Sequence, residues 1–413
     1  MSLGLNFLYA ELVAFSLLAS VLFRNRIYKV HTSILIAVLT LILFASAAIV
    51  VTDNQAATFS SVRNIASALV ALTSFAMIGF EARTKLLVLK AFVLAGIGVS
   101  LLGIHQALFG FDQSITVYSL GLTDNANAGI SFALNWKLDN LVKSGLVTVQ
   151  KSLSIGLHQY SNNFAEFLIY VQIAVITLSS ARSISKPTFV ILYGIIFSAV
   201  VLTQSRTCQI AFILLSVVQL LWITRNLFIK LSYALLTFII ALILLPLAIS
   251  AVEYDGLKTV EGRGELNSAS LSAIGHSVTS IMFGGHTKHY YDEFVQDPHN
   301  MFLYLALQFG IPFAVLAAGF FLYILYQMSR PEHDETLAQR ALRRGGLIAT
   351  VWLLGYGMTW SVISVGSAGM TWAMLTGLAL PRRWLDVPPR VAMRRRLSAR
   401  GGGGDVTVGR TYD

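Results

Sequence analysis

Apolar runs of bilayer-crossing length recur along this chain, separated by short polar breaks, and this pattern constrains the fold more than any other feature. A hydrocarbon core of about 30 Å needs roughly 20 apolar residues per helix. Helices also satisfy their own backbone hydrogen bonds, so repeated runs of this kind predict an all-α bundle. The runs are Leu5–Phe23, Thr32–Val51, Asn64–Phe80, Leu86–Phe109, Asn163–Ser180, Thr188–Thr203, Cys208–Thr224, Leu231–Val252, Met301–Tyr326, Gly346–Ile363 and Ser367–Leu380. With 55% hydrophobic and 12% charged residues and a mean hydropathy of +0.69, the chain is too apolar for an ordinary soluble domain. The first run lacks a basic leader and is followed by Arg24-Asn25-Arg26, so it reads as a retained span and not a cleaved signal. A single cysteine, Cys208, excludes an intrachain disulfide framework.

Lys and Arg fall in alternate loops. Arg24, Arg26 and Lys29 follow the first run. Arg83 and Lys85, Arg182 and Lys186, Arg225 and Lys230, and Arg330 with Arg340, Arg343 and Arg344 then occupy every second loop, with the basic C-terminal tail on the same side. Cytoplasmic loops retain positive charge, so this alternation puts the N-terminus outside and the C-terminus inside, with about eleven spans between. The outer exceptions are Arg63, Lys137, Lys143, Lys151, Arg206, Lys258, Arg263 and Lys288. Most of the net charge of +10 is therefore a topology signal and an attraction to anionic lipid headgroups, and calls for no nucleic-acid partner.

The expected organisation is residues 1–109 as spans one to four, 110–162 as a first long outer loop, and 163–252 as spans five to eight. A second long outer loop covers 253–299, the last three spans cover 300–380, and 381–413 form a disordered basic tail. The inner loop Ser329–Arg344 carries charges of both signs and reads as a short solvated helix. The two outer loops share one compartment and are expected to form a small cap. Internal repeats of the kind that build inverted-repeat carriers are not evident.

Three outer residues have chemistry worth weighing. Arg206 stands in Gln204-Ser205-Arg206-Thr207 between two apolar runs. A snorkelling anchor is the ordinary reading of such an arginine, but anchors belong on the inner side. Its rigid fork suits bidentate binding of phosphate. Arg263, in Glu261-Gly262-Arg263-Gly264-Glu265, has an alternative as a surface ion pair worth about 0–1 kcal/mol. His299 precedes Asn300, which reads as an N-cap for the ninth run. An imidazole there is suited to taking a proton from a hydroxyl, beside a helix start that favours a bound anion. His286 and His289, with Asp292 or His299, form a weak alternative as a metal site. Tyr290, Tyr291 and Trp136 are possible sugar platforms, although interfacial aromatics are common in membrane proteins.

Taken together, Ser205-Arg206, Gly262-Arg263, Phe283-Gly284-Gly285, and Pro298-His299-Asn300 followed by Phe302-Leu303, Leu305 and Gly310-Ile311-Pro312 resemble the signature of the O-antigen ligase and polymerase superfamily over about Gly156–Leu325. The resemblance implies an inner-membrane glycosyltransferase of the GT-C type working at the periplasmic face, generally without a metal or other cofactor. Its substrates would be an undecaprenyl-diphosphate-linked glycan and an acceptor sugar, either a lipid-linked repeat unit or lipid A core. Membrane lipids and a chain-length regulator would be further partners. By the same resemblance Arg206 and Arg263 would hold the diphosphate, and His299 would activate the acceptor hydroxyl or position the reacting groups. Asn162, His158 and Asn300 would contact substrate. Asn163 with Glu166 also reads as an ordinary capping box.

Members of that superfamily often have about twelve spans, so one helix here is missing or merged. The stretch from Arg263 to His299 is short for a ligase, which favours a polymerase of O-antigen or exopolysaccharide, with the ligase as the alternative. A carrier for lipid-linked sugar is a further alternative. It would place ionisable residues near the midplane, where Glu11 and Lys90 are the nearest candidates. The topology predicts that a cysteine introduced at Gly256 is labelled from outside by an impermeant thiol reagent. Protection at that position would overturn it.

Overall fold

The computed structural model describes residues 29–30, 32–77, 82–109, 161–203, 205–223, 263–285, 287, 290, 298–331, 335–358, 366–380 and 385–386. The spans read at Leu5–Phe23 and Leu231–Val252, and nearly all of the first outer loop, lie outside these residues. The described part is all-α apart from a two-residue pairing: β1 (Lys29–Val30) lies antiparallel to β2 (Leu385–Asp386), Lys29 opposite Asp386.

The helices are α1 (Thr32–Val51), α2 (Gln55–Met77), α3 (Ala82–Phe109), α4 (Ser161–Ser180), α5 (Lys186–Leu202) and α6 (Arg206–Ile223). They continue with α7 (263–274), α8 (Val278–Phe283), α9 (Met301–Phe309), α10 (Ile311–Ser329), α11 (Leu337–Gly357) and α12 (Gly366–Ala379). Among the described residues, three stretches are long and apolar enough to cross a membrane: Ala82–Leu108, Asn162–Ser180 and Ile311–Ser329. The outward faces carry large apolar side chains such as Val50, Leu43, Leu94, Val190, Val315 and Leu322. A belt of this kind is compatible with a lipid-facing surface and foreign to a water-soluble one.

α4 is the central helix. It packs against α3, α5, α6, α11 and α12, and from Phe164 to Leu178 almost every residue is buried. A helix apolar on all sides belongs in an interior. Gln172 fastens it sideways: its Nε2 donates to the Tyr193 hydroxyl of α5 at 2.9 Å and to the Phe212 carbonyl of α6 at 3.0 Å. Small residues set the remaining distances. A Cβ at Gly377 of α12 would lie 2.6 Å from the Leu72 carbonyl of α2, the close approach that small residues permit where no hydrophobic effect drives helices together.

Two expectations are corrected. The run Met301–Tyr326 is not one helix, because Gly310, at φ 88°, both ends α9 and begins α10. The polar stretch before Gly346 is not a separate solvated helix, because its second half forms the first turns of α11. Thr336 and Gln339 form a capping box there. Arg343 is buried, donating to Glu335 at 2.7 and 3.1 Å and to the Met328 carbonyl at 2.6 Å. The paired charge lets the helix start early while tying down the end of α10.

Contacts divide the bundle into two ends. One end gathers the β1–β2 pairing, the Arg343 clamp and Gly345 against Thr177. The other gathers the α1–α2 turn, α8, α9 and the last turn of α11. There Asp53 N–H donates to the Gly285 carbonyl at 3.1 Å, and Gly285 N–H to Leu307 at 3.3 Å. Ser61 and Tyr304 share a 2.6 Å hydrogen bond. The Gly284–Gly285 turn fits only without side chains, since at Gly284, φ 71°, a Cβ would lie 2.5 Å from the Gln308 carbonyl carbon. Gly284→Ala should lower stability by about 1–3 kcal/mol, read as a lower melting temperature in detergent. Gly319→Ala, with nothing within 4 Å, should leave it unchanged; equal melting of the two variants would contradict the packing described.

Candidate functional site

The polar residues at the second end surround the head of α4. Asn163, Glu166 and Tyr170 occupy positions i, i+3 and i+7, which puts them on one face of the helix. Asn163 is 9% exposed, Glu166 1% and Tyr170 0%. The Asn163 Oδ1, both Glu166 carboxylate oxygens and the Tyr170 hydroxyl have no hydrogen-bond partner among the described residues. A buried polar atom left unsatisfied costs about 1–3 kcal/mol, and a charged group more. Four on one helix face are a standing cost that packing alone does not explain. This corrects the capping-box reading: α4 begins at Ser161, so Asn163 is already helical, and Glu166 caps nothing.

Three elements close around this face. Tyr356, near the end of α11, interacts electrostatically with Glu166, with Cys208 and with Arg263. Cys208, in the first turn of α6, interacts with Ser205 and Tyr356 and is buried as a free thiol. Met301, at the head of α9, lies 3.2 Å from where a Cβ would stand on Gly357, next to Tyr356. The first turns of α4, α6, α7 and α9 are therefore gathered at one end of the bundle. Each contributes the positive pole of its dipole, and such poles favour bound anions.

Within this arrangement, Arg206 is the first residue of α6 and Arg263 the first of α7. Arg263 is half-buried, its Nε is enclosed without a hydrogen-bond acceptor, and no carboxylate pairs with it among the described residues. Of the two acidic neighbours in the surface ion-pair alternative, Glu265 makes no ion pair with it, and Glu261 lies outside the described residues. His299 is half-buried immediately before the N-cap of α9. Asn300 is that N-cap, accepting from Phe302 N–H at 2.9 Å and Leu303 N–H at 3.2 Å. Its Nδ2 reaches Met358 Sδ at 4.0 Å, which ties the His299 loop to the end of α11. Asn162 is half-buried on the first turn of α4.

His158, Glu261, His286, His289, Tyr291, Asp292, Asp297 and Trp136 lie outside the described residues. Tyr290 is buried. Among the described residues no group of three His, Cys, Asp or Glu side chains could hold a metal ion. Comparison of the chain with protein-family models, with curated proteins and with solved structures finds no match. The functional reading therefore rests on the residues and their arrangement.

Tyr170 and Tyr356 are not singled out by the sequence, and Glu166 is read there only as part of a capping box. Glu166 and Tyr170 carry a readable signal, an acid and a tyrosine four residues apart inside an apolar run, which marks a functional position by default. Tyr356 carries none, since only the fold brings it to Cys208.

Proposed function

We propose that this chain is a membrane glycosyltransferase that takes a saccharide from an undecaprenyl-diphosphate carrier and joins it to a sugar hydroxyl. The observation that carries the reading is the placing, at the end of the bundle away from the basic loops, of an arginine whose Nε has no acceptor among the described residues, a histidine beside a helix start and several helix N-termini. By the positive-inside bias that end is the periplasmic face of a bacterial inner membrane.

The reaction asks for two things. As the acceptor oxygen bonds to the anomeric carbon, the carbon–oxygen bond to the diphosphate breaks and its electron pair leaves with the phosphate. Fixed positive charge aimed at that leaving group stabilises the transition state more than the ground state. Arg206 and Arg263 supply that charge, helped by the helix dipoles, and Asn162, Asn300 and His158 line the substrate. The acceptor hydroxyl loses its proton as it attacks, and His299 activates it or positions the reacting groups. Attack opposite the leaving diphosphate inverts the anomeric configuration. Burial of the surrounding groups strengthens each electrostatic contact by excluding water.

A carrier for lipid-linked sugar fits less well. The break at Gly310 would suit a carrier if it fell at the midplane, but α10 alone has 19 residues, about 28 Å at about 1.5 Å per residue. The break is then at the end of a span. Lys90 is exposed on α3 and is no midplane site inside the bundle. The short stretch between Arg263 and His299 favours a polymerase over a ligase.

Purified protein reconstituted with undecaprenyl-diphosphate-linked repeat units should build a product ladder without added acceptor. Transfer only after lipid A core is added would make it a ligase, and no product from folded protein would reject the transferase reading. In the same assay Arg206→Lys should lower turnover about 10²-fold at normal protein level, and near wild-type turnover would remove the bidentate role.

A further inference from the structure

The unmet hydrogen-bonding capacity at this end has a chemical polarity. On α4 it consists almost wholly of acceptors: Asn163 Oδ1, Glu166 Oε1 and Oε2, with the Tyr170 hydroxyl able to act either way. On α7 it is mixed: Arg263 Nε is a donor and Asn267 Oδ1, one turn along, an acceptor. Tyr356 lies within the electrostatic reach of both Glu166 and Arg263. A ligand that satisfies both sides has an anionic part facing Arg263 and a hydroxyl-rich part facing α4. A diphosphate-linked sugar meeting a sugar acceptor has that composition.

Resting on the transferase reading, we propose that the Asn163–Glu166–Tyr170 face of α4 is the acceptor subsite and that Glu166 takes the proton of the attacking hydroxyl. His299 then positions the reacting groups. The bookkeeping closes without a co-reactant: the acceptor O–H bond breaks, its oxygen bonds to the anomeric carbon, the diphosphate leaves with the electron pair, and the proton resides on the Glu166 carboxylate until product departs. Two features support Glu166 in this role. An ionised carboxylate is an acceptor only, and among the described residues nothing donates to either of its oxygens. It also lies five residues from the start of α4, about 8 Å along the axis at about 1.5 Å per residue. That is near the end of the helix where the arginines are, and not at its middle, where ion-conducting carboxylates are expected. The groups facing it are Tyr170 on its own helix, Cys208 on α6 and Tyr356 on α11, with Arg263 beyond Tyr356.

The test uses the full-length protein in nanodiscs with two readouts, affinity for inorganic diphosphate and turnover of lipid-linked repeat units across pH. Glu166→Gln preserves volume. It is expected to bind diphosphate within about twofold of wild type while turnover falls about 10²-fold or more, with the acid limb of the pH–rate profile flattened. Glu166→Asp should recover part of the rate with the limb restored. Arg263→Gln should show the opposite pattern at the first readout, with diphosphate binding lost. Wild-type turnover in folded Glu166→Gln would overturn the proposal and leave the transferase reading intact. Loss of diphosphate binding and of melting temperature in Glu166→Gln would mark a structural role and overturn it too. A wild-type protein that neither binds diphosphate nor turns over would overturn both readings.

Discussion

The rest of the molecule depends on the burial of α4. An interior helix that is apolar along most of its length sets the positions of α3, α5, α6, α11 and α12 around it. It also brings a carboxylate, an amide and a phenol into the packed interior, where no described residue satisfies them. Hydrocarbon gives helices no hydrophobic reason to associate, so this packing relies on close approach and on a few polar fasteners. Gln172 across α4, α5 and α6, and the Trp372 indole donating to Thr350 at 3.1 Å between α12 and α11, are fasteners of that kind. Both donate across helix boundaries, although the Gln172 Oε1 is itself without a partner among the described residues, as are both Glu166 carboxylate oxygens.

The two ends of the bundle divide the work. At the basic end, charges are neutralised locally: Arg343 is satisfied by Glu335 and a backbone carbonyl, and the Arg330 guanidinium lies 4.1 Å from the Tyr326 ring centre. At the other end, the Gly284–Gly285 turn and the junction at Gly310 press α8 and α9 against the α1–α2 turn, which fixes the direction of the His299–Asn300 loop. A rigid frame around an incompletely satisfied polar cluster is what electrostatic preorganisation requires.

Much of this was legible in the chain. The run Thr32–Val51 matches α1 to the residue, and the runs for α4, α5, α6 and α12 match within about two residues, because apolar runs are local signals. The α2 helix instead begins at Gln55, well before the Asn64 of its run, because its first turns are polar. Asn300 was readable as a cap because capping too is a local signal. The division of Met301–Tyr326 was less so: Gly310 followed by Pro312 is compatible with a continuous apolar run, and only the positive φ reveals the break. The start of α11 was misplaced because Arg343 looks solvated until Glu335 is seen to neutralise it. Glu166 was absorbed by a capping pattern whose spacing it satisfies by coincidence. Its role is decided by the burial of α4, a tertiary fact that sequence spacing does not contain.

The central claim is that the polar end of the bundle around α4 holds a lipid-linked diphosphate. The most direct test is a cryo-electron-microscopy map of the protein in nanodiscs with undecaprenyl diphosphate. The account predicts density for the diphosphate between Arg263 and the first turn of α6, with the lipid tail running down the outside of the bundle. Density at the basic end, or along a path through the middle of the bundle, would contradict it.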